Sequence, residues 1–64
     1  MKIDIETAEQ QIRNGFRVVC KLFDDDTVHV WFKSPDGYVG PSHDIDPSDA
    51  VTLANRFAYA VTLR

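Results

Sequence analysis

The run Phe16-Arg17-Val18-Val19-Cys20-Lys21-Leu22-Phe23, followed after Asp24-Asp25-Asp26 by Thr27-Val28-His29-Val30-Trp31-Phe32-Lys33, decides the fold. Both halves are rich in β-branched and aromatic residues and alternate with period two, the pattern of half-buried strands. One face of the pair collects Phe16, Val18, Cys20, Leu22, Val28, Val30 and Phe32. The other collects Arg17, Val19, Lys21, Phe23, Thr27, His29, Trp31 and Lys33. The three aspartates predict a three-residue hairpin loop whose last residue is left-handed, a conformation Asp tolerates better than most residues other than Gly and Asn. That loop sets a register: Phe23 opposite Thr27, Lys21 opposite His29, Val19 opposite Trp31 and Arg17 opposite Lys33.

Downstream, Ser34-Pro35-Asp36-Gly37 predicts a type I turn, with Pro presetting its second position and Gly supplying a bulge. A third, shorter strand is expected from Tyr38 to Gly40, ended by Gly40-Pro41, with His43 to Ile45 in a linker. Asp46-Pro47-Ser48-Asp49 is the sharpest helix start in the chain, with an Asp cap, Pro at the first helical position and an acid in the first turn. From it Ala50, Leu53, Ala54, Phe57, Ala58 and Val61 run at helical spacing and predict one apolar stripe. Leu63 falls off that stripe, one turn beyond Tyr59.

Upstream, Ile5, Ala8 and Ile12 make a shorter stripe and predict a helix from about residue 5 to 14. Asp4 opens it, or else a capping box of Thr7 with Gln10 does, and Asn14-Gly15 stops it. A short edge strand from Lys2 to Ile5 is the competing reading. The expected fold class is α+β: a small single domain over residues 1–64, ordered α-β-β-β-α. It comprises a three-stranded antiparallel meander with helices packed on one face. Phe16, Val18, Leu22, Val28, Val30, Phe32, Leu53, Phe57 and Val61 form the expected core.

With 64 residues there is room for one core only. A lone cysteine excludes a disulfide framework, so Cys20 reads as a small buried hydrophobe. No apolar run is long enough to span a membrane, and the expected location is cytoplasmic. The net charge of −3 argues against a general polyanion binder, because such domains are usually basic overall.

Charge placement carries more information. No acid falls in either strand run; the acids fill the turns, helix starts and linkers. The solvent face therefore joins Arg17, Lys21, His29 and Lys33 to Val19, Phe23 and Trp31, an apolar patch rimmed by cations. Two pairs in the register set like or potentially like charges opposite one another, at a cost of only ~0.7 kcal/mol for unit charges ~6 Å apart in water. Folding tolerates that but does not require it. Such a face can receive an acidic protein surface, stack a base or hold a phosphate. Cations on a strand also protect an edge from foreign pairing, and their stems can cover Trp31 and Phe23, so the bland reading stands beside the functional one.

Other constellations carry less. Asp24 to Asp26 lacks calcium-loop spacing. His29 and His43 are too few for a metal site without Cys20, which should face the side opposite His29, so no metal site is expected, and no cofactor either. Ser42-His43-Asp44 contains the residue types of a hydrolase triad, but consecutive residues in one loop cannot form the required chain of nucleophile, base and orienter.

The α-β-β-β-α order resembles the double-stranded-RNA-binding domain, and Gly40-Pro41-Ser42-His43 is similar to that family's Gly-Pro-x-His loop. In the family the loop lies between the first and second strands; here it follows the third. Asp46 and Asp49 stand where the family begins its second helix with phosphate-binding lysines. Residues 16 to 61 also resemble, in topology alone, the arm-binding domains of tyrosine-family phage integrases. Neither likeness assigns a family.

The expected function is a non-enzymatic interaction module, a regulator or inhibitor of the kind carried by phages and mobile elements. It would dock on a larger protein partner through Arg17, Val19, Lys21, Phe23, His29, Trp31 and Lys33. The alternatives are nucleic-acid binding by the same face, and a weak homodimer through the helix flank of Val51 and Tyr59.

Overall fold

A computed structural model describes residues 2–64. Helix α1 (Ile5–Arg13) leads into strands β1 (Arg17–Leu22), β2 (Val28–Lys33) and β3 (Val39–Ile45), then helix α2 (Pro47–Arg56) and strand β4 (Val61–Leu63). The strands form one sheet of order β3-β2-β1-β4, antiparallel from β3 to β1 and parallel between β1 and β4. The expected α+β meander is present, with a fourth strand added to it. No described helix is long and apolar enough to cross a membrane.

Local chemistry fixes the first half of the chain. Asp4 caps α1 by accepting from the amide of Thr7 at 2.8 Å, so the Asp4 start is the one used. Gly15 is left-handed (φ 96°), its amide donates to Ile12 and that of Phe16 to Gln11, which together make a Schellman stop. The competing strand reading also has substance: Lys2 bridges to Asp44 in parallel sense, and the amide of Ile3 donates to the Asp44 carbonyl at 2.8 Å. The β1–β2 register is the one the three-residue loop demands, with Asp26 at φ 63°. Gly37, at φ 94°, closes the next turn.

Three expectations need correction. Gly40-Pro41 does not end the third strand, and His43 to Ile45 is not a linker. β3 runs to Ile45, with its register against β2 shifting between Trp31 and Lys33. Pro is accommodated because β3 is an edge strand and an irregularity absorbs the missing donor. Second, α2 stops at Arg56 instead of reaching Val61, with Phe57 at its C-cap. The β1 edge lies bare without β4, and Val61 and Thr62 are β-branched. In this setting the pairing of Val18, Val19 and Cys20 with Val61, Thr62 and Leu63 replaces the helical continuation.

Third, the core differs in composition. Val18, Val30 and Leu53 are its largest fully buried side chains, joined by Ala8, Ile12, Cys20, Val28, Phe32, Ile45, Ala50 and Ala60. Phe16, Phe57 and Val61 only pack against it, half-buried. Leu22 is 61% exposed: its inward direction is as expected, but it stands at the end of β1 where cover is incomplete.

Candidate functional site

The outer sheet face is built from alternate residues of all four strands. β1 contributes Arg17, Val19 and Lys21; β2 contributes His29, Trp31 and Lys33, each directly opposite its mate on β1. All seven residues expected to form the binding face lie here, with Phe23 just past the end of β1. The sheet brings further residues that sequence reasoning missed. Val39 lies opposite Lys33, Ser42 opposite Trp31 and Asp44 opposite His29.

A depression of about 400 Å³ opens on this face, lined by Val19, Trp31, Val39, Lys21 and Arg64. Its floor is apolar and its rim cationic. Val39 falls in the expected third strand but was assigned to no face, and Arg64 was hidden by the helix expected to run on to Val61. The signal available for Val39 was its place directly after a strong hairpin turn.

Three of the four basic residues in the like-charge pairs have lateral partners. Lys21 places its Nζ 5.5 Å from the ring centre of Phe23, and the Arg17 guanidinium lies 5.7 Å from that of Tyr59. These are cation–π contacts. His29 turns towards β3, with Nδ1 3.3 Å from an Asp44 carboxylate oxygen and Nε2 3.3 Å from the Thr27 hydroxyl. Phe23, His29 and Trp31 form an aromatic row with centre-to-centre spacings of 4.2 and 6.3 Å. The face is therefore less uniformly basic than the two central strands imply, because Asp44 stands beside His29.

At the hairpin end, Asp25 accepts from the Thr27 hydroxyl at 2.6 Å, and this bond holds its carboxyl below the usual carboxylate range. Burial pushes the Cys20 thiol up, as expected for a packing residue on the opposite face. Ser42 and Asp44 leave β3 on the outer face, while His43 lies on the inner one, 5.9 Å from Phe32. The three therefore make no triad. Among the described residues no three His, Cys, Asp or Glu side chains converge as metal ligands would.

Val51 and Tyr59 do not share a helix flank, because Tyr59 lies in the turn after α2 and packs edge-on to Phe57. Val51 instead borders a second depression of about 290 Å³ on the helix side of the sheet, with Cys20, Leu22, Val28, Ala50 and Leu63. Compared with protein-family models, curated proteins and solved structures, the chain matches none.

Proposed function

We propose that this protein is a non-catalytic docking module whose outer sheet face binds an acidic, partly apolar surface on a larger protein, as a small regulator or inhibitor would. The observation that carries this reading is the depression floored by Val19, Trp31 and Val39 and rimmed by Lys21 and Arg64. Arg17 and Lys33 lie at the other end of the same strands. A partner side chain that fills the floor loses apolar area to water, while carboxylates around it meet the rim. Aromatic and arginine anchors in a desolvated centre dominate such interfaces.

Nucleic acid fits the same face less well. Asp44 stands on it, and the protein as a whole carries net charge −3. Phosphate contacts would act against both.

The test is affinity capture from the native host with the wild-type chain and with Trp31→Ala and Lys21→Glu variants that retain the wild-type melting profile. A protein held by the wild type and lost from both variants is the expected result. Equal retention on all three overturns the reading. Titrating short DNA and RNA with salt decides the nucleic-acid alternative, since phosphate neutralisation gives a steep logarithmic dependence.

A further inference from the structure

The two edges of the sheet are treated differently. The β3 edge is partly covered where Lys2 and Ile3 bridge to Asp44. The β4 edge has no partner strand among the described residues. Its alternation can be read from two bonds: the Val18 amide donates to the Ala60 carbonyl at 2.8 Å, and the Arg64 amide donates to the Cys20 carbonyl at 2.9 Å. Residues 60, 62 and 64 therefore turn their backbone groups towards β1. Val61 and Leu63 turn theirs outwards, free to pair.

Exposed apolar side chains sit at the same edge. Leu63 is 65% exposed and Val51 61%, and both line the helix-side depression together with Leu22. Arg56 faces α1 from the opposite flank of α2, where it meets Glu9. The Val51 flank thus looks out over β4.

We infer that β4 pairs antiparallel with β4 of a second copy, about a two-fold axis through Thr62, to join two sheets into one. The choice of a second copy rests on self-complementarity. With Thr62 facing Thr62 of the other copy, each Val61 lies opposite the other copy's Leu63, and every outward amide and carbonyl of the strand is satisfied. A two-residue shift that sets Leu63 opposite Tyr59 takes the pairing off the strand and into the turn before it. On the helix side Val61 meets Leu63 across the axis, and Val51 flanks the contact. On the outer side Thr62 meets Thr62, a favourable cross-strand pair. Arg64 falls opposite Ala60, so no like charges are set against each other. The interface is isologous and closes on itself. The pairing does not rest on the docking reading: it leaves Val19, Trp31 and Val39 open on the outer face, while Arg64, on the rim of that depression, lies at the seam.

The test is sedimentation equilibrium of the full chain up to high micromolar concentration, with amide exchange followed at low and high concentration. The mass should rise towards twice the monomer value, and the Val61 and Leu63 amides should gain protection as concentration rises. Leu63→Lys should weaken association roughly tenfold or more, because an edge lysine opposes strand addition. A monomer throughout overturns the inference. So does a dimer that Leu63→Lys leaves intact, or one in which the two amides stay unprotected. If Leu63→Lys fails to fold, the wild-type exchange pattern decides alone.

Discussion

Glu9 and Arg56, 47 positions apart in the chain, meet at 2.8 Å and tie α1 to α2. The Glu9 side chain is only 11% exposed, while that of Arg56 is 62% exposed and Arg13 stands 3.8 Å from the same carboxylate. Solvent reaches the cation side, so the pair is screened and its coupling is modest. Arg56→Ala should cost ~1 kcal/mol, and the coupling from a double-mutant cycle with Glu9→Gln should be of similar size. Replacing both residues by leucine should recover most of the loss, because the buried carboxylate goes with its partner. Urea denaturation of the wild type, the two single variants, their double and the double-leucine chain measures all three outcomes.

Leu53 is fully buried, whereas Phe57 is half-buried at the end of α2. Leu53→Ala should therefore destabilise by ~3 kcal/mol, a large part of the stability of a domain this small. Phe57→Ala should cost less, although phenylalanine is the larger side chain. A helix running on to Val61 would reverse that order, so thermal melts of the two variants test where α2 ends.

The parts of the fold that were legible in the sequence are those decided by a few adjacent residues. The left-handed Asp26 and the turn at Gly37 follow from local backbone preferences, and the hairpin register follows from the loop between Phe23 and Thr27. These in turn place seven candidate site residues on or beside one face. The remainder depends on pairing between distant segments. Ala58 and Val61 continue the helical spacing, yet Val61 and Thr62 are β-branched, and only the bare edge of β1 selects the strand from Val61 to Leu63. Gly40-Pro41 reads locally as a stop, yet an edge strand can absorb it. Both misreadings bore on the site: the first hid Asp44 and the second Arg64.

Gly15 and Gly37 share a left-handed backbone, with φ 96° and 94°, but not their surroundings. A Cβ on Gly37 would meet nothing within 4 Å, while one on Gly15 would sit 3.3 Å from the Pro35 ring. Gly37→Ala should cost ~1 kcal/mol from conformation alone. Gly15→Ala should cost more, because Pro35 must also give way. Gly37→Val should be worse than Gly37→Ala, since β-branching restricts the backbone further. Equal stability of the two alanine variants would mean that Pro35 moves freely.

Acid should destabilise the turns before it affects the core. Asp25 is held low by the Thr27 hydroxyl and Asp36 by that of Ser34, while Asp4 is held low by hydrogen bonds from Thr7. A carboxyl whose pKa is depressed on folding favours the folded state fully above its unfolded value, about 4, and loses that contribution as pH falls through the folded value. Stability should thus be nearly flat, as far as these groups decide it, down to about pH 5, and should fall below about pH 4. Asp25→Asn cannot ionise and keeps an oxygen for Thr27, so its melting temperature should start lower at neutral pH and fall less steeply in acid. The two curves should converge towards pH 2, where the wild-type carboxyl is also protonated. Parallel curves for wild type and Asp25→Asn across that range would show that the Asp25–Thr27 bond contributes nothing to folding, and would shift the acid response to Asp4 and Asp36.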